Sequence, residues 1–233
     1  CAAAAPALKR FVYVSSISAT GPSPADGTLL DEDAPLRPVS GYGRSKAKAE
    51  DVVRSFSGQI PWTILRPPNV LGPRQKEMYT SISLISKRIK PIVGNGKPQT
   101  SVISVWDAVR ALILLAEHPA AVGRTYFVTS GEPVAWREIT GAVAAELGVR
   151  CVYLPVPYLV QWKVGFFSEL ASRITGKEPL LTREAVSSAR KYYWNYDGSR
   201  IRRELGFVPE IDPAGAIKRT VAWYAERGLV KAR

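Results

Sequence analysis

The chain has 233 residues, 46% apolar and 22% charged, a globular balance with room for one large core or two small ones. Two cysteines exclude a disulfide framework and suit reduced thiols in the cytoplasm, while a single histidine, His118 before Pro119 at a helix end, excludes a histidine-based zinc cluster, so no metal site is expected. No apolar run is long enough to span a bilayer, and the net charge of +12 comes from scattered basic residues without interleaved aromatics, which favours a solvated basic face over nucleic-acid binding.

"RFVYVSS" (10–16) is a β-branched and aromatic run that reads as a buried parallel strand. Residues 19–40 carry many prolines and glycines, with acids at 31 to 33, and read as a long loop of the kind that serves function. A helix is predicted over 41–57, capped by Ser40, with Val52, Val53 and Phe56 facing inward and Gly58 ending it. "WTILRPPNVLGP" (62–73) is a second buried strand running into a turn. Residues 76–90 predict a helix with Ile82, Ile85 and Ile89 inward; "GNGKP" (94–98) is a turn and "SVISV" (101–105) a short strand.

Asp107 is expected to cap the helix "AVRALILLAEH". "RTYFVTS" (124–130) predicts a strand, Trp136 to Leu147 a helix ended by Gly148, and "RCVYLPVP" an extended piece. Residues 158–175 are amphipathic and aromatic-rich, 182–191 look helical, and Ile211 to Arg227 form a closing helix. Strands alternating with helices predict a parallel α/β sheet, followed beyond residue 130 by a helix-dominated lobe. The division expected is 1–73 with 101–130 for the sheet domain, and 74–100 with 131–233 for the lobe.

"GYGRSKAKAE" (41–50) places Tyr42 and Lys46 four apart, so both point from one face of the predicted helix. A phenol titrates near ~10, and a neighbouring ammonium favours its ionised form. Such a tyrosine can exchange a proton with a substrate hydroxyl. "SSIS" at the end of the first strand offers hydroxyls at Ser15, Ser16 and Ser18, at the strand end where open α/β sheets place ligands.

"FVYVSS", "YGRSKAKAE", "ILRPPNVLGP" and "VWDAVRALILL", in that order, resemble the extended short-chain dehydrogenase/reductase family, the NAD-dependent epimerase/dehydratases. The resemblance runs to "ELGFVPEIDPAGAIKRTVAWYAERG". It implies a Rossmann-type parallel sheet with a smaller, mostly helical substrate-binding lobe, and NAD or NADP as cofactor. By this resemblance Tyr42 is the general acid/base, Lys46 favours its phenolate and holds the nicotinamide ribose, and Ser16, ahead of Ser15 and Ser18, orients the substrate oxygen. Pro67, Asn69 and Val70 would lie against the nicotinamide end of the cofactor, with Asn69 also near substrate; the alternative is a plain strand-ending turn. A homodimer through the helices bearing Tyr42 and 76–90 is a further implication.

The family's Gly-rich phosphate-binding turn is absent from this sequence, as is the acidic residue that separates NAD from NADP. The opening "AAAAPALKRFVYVSS" resembles the middle of such a fold, so the expectation is a chain lacking the first half of the sheet, inactive by itself and a poor binder of the cofactor.

Thr100, Ser101 and Val102 stand where sugar-nucleotide members often carry an Arg-Asp-aromatic run. The departure favours a secondary alcohol or ketone substrate, as in the hydroxysteroid dehydrogenase-like and dihydroflavonol reductase-like branches, over a nucleotide sugar, although Arg74 or Lys97 could take a phosphate. A non-catalytic protein using a cofactor-shaped pocket is the alternative from another class. The segment "VPYLVQWKVGFFSELASRITG" reads first as a helix on the lobe's own core, then as a lining for an apolar substrate or a peripheral membrane contact.

Overall fold

The computed structural model describes residues 7–92, 96, 98–155, 158–176, 183 and 192–230. The chain forms two compact units: Cys1–Gly72 with Thr100–Val134 and Trp194–Ala216, and Pro73–Gln99 with Ala135–Tyr193 and Ile217–Arg233.

In the first unit, β1 (Phe11–Val14), β2 (Trp62–Arg66) and β6 (Thr125–Phe127) form a parallel sheet with β2 in the middle. The register sets Tyr13 opposite Ile64 and Arg66 opposite Phe127. All five residues of β2 are buried, because helices cover both faces. Alternation along the strand sends neighbours to opposite sides. Ile64 packs with Val53 and Ile60 on the side of α2 (Gly41–Ser55), and Leu65 packs with Ala108, Ala111 and Leu115 of α4 (Val105–Glu117). Beyond the sheet, β3 (Asn69–Leu71) pairs in parallel with β5 (Val102–Ser104).

Ser40 caps α2 as its sequence position suggests, accepting the Gly43 N–H at 2.8 Å. The inner face of α2 is Gly43, Ala47, Glu50 and Val53; Val52, expected inside, is exposed because it lies outside that stripe. The cap of α4 is Ser104, not Asp107. Asp107 stands in the first helical turn, where its carboxylate takes the Ser104 hydroxyl at 2.8 Å and the N–H groups of Glu210 and Ile211 at 3.0 Å.

Residues 194–216 belong to this first unit, whereas the sequence division placed them with the lobe. Long-range pairing holds them there: Leu30 bridges to Tyr196, the Tyr196 ring lies 4.8 Å from that of Phe127, and Ile201 and Leu205 of α7 (Ser199–Leu205) enter the α4 core.

The second unit holds α3 (Lys76–Ser86), α5 (Trp136–Glu146) and α6 (Tyr158–Thr175), with β4 (Ile89–Ile92) parallel to β7 (Val152–Pro155). Ile82 and Ile85 of α3 are fully buried as predicted. The helix does not reach residue 90: Arg88 turns the chain at φ 64°, and Ile89 begins a strand with its side chain exposed. Gly148 reverses the chain after α5 at φ 65°. The closing helix, α8, is Pro213–Glu226. The predicted helix at 182–191 falls, Arg183 aside, outside the described residues, as do most of the turn at 94–98 and residues 1–6.

Candidate active site

The site grows from the C-terminal end of β1. After Val14 the chain stays pinned to β2: the Ser15 N–H donates to the Leu65 carbonyl at 2.7 Å, and the Ile17 N–H to the Pro67 carbonyl at 3.2 Å. Ser15 is buried and its hydroxyl donates to Glu50 at 2.5 Å, which commits it to the interior. Ser16 is extended, half-buried, and caps the short helix α1 (Ile17–Thr20) by accepting the Ser18 N–H at 3.1 Å. Its own O–H has no acceptor among the described residues. Of the two hydroxyls, that of Ser15 is spent on Glu50 and that of Ser16 is able to donate.

Helix α2 meets this turn at Gly43. A Cβ there would stand 2.2 Å from the Ser18 carbonyl oxygen, so the two backbones touch where only glycine fits. That approach sets Tyr42, the preceding residue, beside the segment that starts at Ser16. Tyr42 is 56% exposed, and its phenol oxygen has no partner among the described residues. Lys46 lies one turn on, its ammonium 5.8 Å from the Tyr42 ring centre and 5.2 Å from that of Tyr13. One of its N–H groups donates to the Val14 carbonyl at 2.9 Å, which ties the lysine to the strand end.

Beneath this surface lies a cluster that sequence reasoning missed. Glu50, two turns after Tyr42, is wholly buried. The guanidinium of Arg66 grips it side-on, Nε to Oε1 at 2.9 Å and Nη2 to Oε2 at 2.7 Å. Arg54 adds a contact at 2.7 Å. Burial by itself would raise the Glu50 pKa; the hydrogen bonds and charge of Arg66, the Ser15 hydroxyl and Arg54 overcome it and hold the carboxyl below its ordinary range. A second buried acid, Glu32, accepts the Phe127 N–H at 2.8 Å and pairs with Arg200 at 3.2 Å. There burial dominates and the pKa is raised. A readable signal for the first pair was Arg66 itself, since a charge inside a buried strand requires a partner.

The remaining expected residues are dispersed. The Asn69 amide donates to the Thr100 hydroxyl at 2.7 Å, Pro67 supplies the carbonyl that holds Ile17, and Val70 packs on the α4 core. Thr100, Ser101 and Val102 are buried. Arg74 lies in the other unit with its guanidinium 6.0 Å from the Trp223 ring, and Lys97 is outside the described residues.

Open parallel α/β sheets of this kind take their ligands outside the C-terminal ends of the strands, and Ser16 and the anchored Lys46 stand at that end of β1. The model of the NAD dependent epimerase/dehydratase family matches residues 1–128, more than half of the chain, and the chain belongs to that family. It is 27% identical over 235 residues to a 3beta-hydroxysteroid-dehydrogenase/decarboxylase (isoform 1) of Arabidopsis thaliana, covering 92% of this chain and 53% of the relative. It is 29% identical over 176 residues to a UDP-glucose 4-epimerase of Vibrio cholerae, covering 72% of this chain and 54% of the relative. The dTDP-glucose 4,6-dehydratase DesIV of Streptomyces venezuelae, solved with NAD bound, superposes with a TM-score of 0.68 at 26% identity, over 94% of this chain and 61% of that one. The chain thus spans little more than half the length of these two curated relatives.

Proposed function

We propose that this chain carries the acid–base machinery of an NAD(P)-dependent oxidoreductase that acts on a secondary alcohol or ketone. The carrying observation is the exposed phenol of Tyr42, unpartnered among the described residues, beside an ammonium anchored to the end of β1. The residues suit a nicotinamide cofactor. Lys46 has two N–H groups beyond the one given to Val14, enough to hold ribose hydroxyls, and Tyr42 lies open on the same helical face. When bound, the nicotinamide supplies the acceptor or source of hydride at the carbinol carbon.

Ser16 donates its O–H to the substrate oxygen and fixes its position. Tyr42 takes the proton of that hydroxyl in oxidation and returns it in reduction. Lys46, one helical turn on, holds its ammonium beside the Tyr42 ring. Asn69 is a weaker member of the set, because Thr100 already engages its amide.

An apolar alcohol is favoured over a nucleotide sugar. The stretch Thr100–Val102 is buried in strand pairing and carries no cation for a diphosphate. The hydroxysteroid relative from Arabidopsis agrees with that reading; the Vibrio epimerase supports the nucleotide-sugar alternative.

The test is an NAD(P)H-formation assay on the full-length gene product containing this chain, with a panel of cyclic secondary alcohols and of nucleotide sugars. Activity on the alcohols should fall roughly 10²–10⁴-fold in kcat for Tyr42→Phe. Turnover unchanged by that substitution overturns the assignment. Cofactor binding without turnover of any panel member would point to the non-catalytic alternative.

A further inference from the structure

We infer that the outward face of α6 is a docking surface for an anionic lipid bilayer. This inference stands apart from the catalytic reading, because it rests on a different element. Along one side of α6, Gly165 is buried and Trp162 and Glu169 are partly covered, with Arg183 against them. On the other side Val160, Val164, Phe167, Leu170 and Ile174 recur at three- and four-residue spacing and form one stripe. The stripe is exposed: Phe167 by 63% and Ile174 by 80%. Isolated exposed apolar residues are ordinary, but a continuous stripe along a helix about 27 Å long is a contact surface.

Charge selects the occupant. The basic residues of α6 are Lys163, which stands within the stripe, and Arg173. Its single carboxylate, Glu169, is turned away and held by Arg183 at 2.8 Å, whose guanidinium also covers the Trp162 and Phe166 rings at 5.4 and 5.2 Å. Among the described residues the face therefore offers apolar side chains and a cation, with no anion. The chain as a whole carries +12. Two such chains repel each other, whereas an anionic leaflet attracts both the lysine and the net charge. No helix among the described residues is long and apolar enough to cross a membrane, so the association is a lateral one, with the helix lying along the headgroups.

The test is co-sedimentation of the purified chain with vesicles of phosphatidylcholine, with or without phosphatidylglycerol. The wild type should partition onto the anionic vesicles far better than onto the neutral ones, and less as salt rises. Lys163→Gln should weaken partitioning by roughly fivefold, the weight of one basic residue near an anionic leaflet. Phe167→Ser with Ile174→Ser should weaken it at least tenfold, with the circular dichroism spectrum unchanged to show that the fold persists. Equal partitioning of wild type and double variant overturns the inference. So does a failure to bind vesicles combined with self-association that the double variant abolishes, which would assign the stripe to a second copy of the chain. A failure to bind with no self-association overturns it equally.

Discussion

Replacing Arg66 with methionine removes the guanidinium and leaves the Glu50 carboxylate buried, with Ser15 and the partly exposed Arg54 as its remaining partners. The side-on pair supplies two hydrogen bonds at 2.9 and 2.7 Å to a carboxylate with no exposure. Breaking one side of such a pair costs about 3–5 kcal/mol, chiefly through the uncompensated buried charge. Set against a typical total of about 5–15 kcal/mol, this is a large share, and corresponds to a fall of roughly 6–20 °C in Tm for a chain of this size. Glu50→Gln, which strands Arg66 instead, should cost a similar amount. The double variant keeps an acceptor for Ser15 and carries no buried charge at either position, so it should cost clearly less than the sum. Urea unfolding followed by tryptophan fluorescence measures all four proteins. If the two single losses add to the double within about 0.5 kcal/mol, the residues do not neutralise each other and the proposed role of the cluster fails.

Gly43→Ala places a methyl 2.2 Å from the Ser18 carbonyl oxygen, so it should destabilise by roughly 1–3 kcal/mol and, under the proposed function, lower kcat more than it raises KM. Asp107→Ala strips partners from two backbone N–H groups and from Ser104, and should cost on the order of 3 kcal/mol, against about 1 kcal/mol for the cap variant Ser104→Ala; equal losses in urea titrations would refute the anchoring role. Glu50 is held below its ordinary range, so its stabilising contribution is complete above the unfolded-state value near ~4.3 and is lost as pH falls through the lower folded value. Glu32, raised by burial, has the opposite sign and loses stability as pH climbs through its folded value. Thermal scans across acidic pH should therefore show a flatter acid limb for Glu50→Gln than for the wild type.

Much of the candidate site's local geometry was legible because it depends on near neighbours in the chain. Tyr42 and Lys46 share a face by helical geometry alone, Ser40 sits where a cap belongs, and serines following a β-branched run mark a strand end. The errors arose where a residue's partner lies far along the chain. Val52 was expected inside beside Val53, whereas Glu50 takes that inner face, and only Arg66, sixteen residues away, makes its burial tolerable. Asp107 read as a cap until its carboxylate met the N–H groups of Glu210 and Ile211, more than a hundred residues on. The Glu32 carboxylate reaches the Phe127 N–H across 95 residues, which turns part of the long loop into a strut against the sheet. Sequence by itself determined the alternation of strands and helices and the pairing of phenol with amine, since both depend on spacing within a turn or two. Tertiary structure decided which serine stays available, where Gly43 lets two helices touch, and which charges enter the core. Those outcomes depend on desolvation and on contacts between distant segments, and no local period in the chain encodes either.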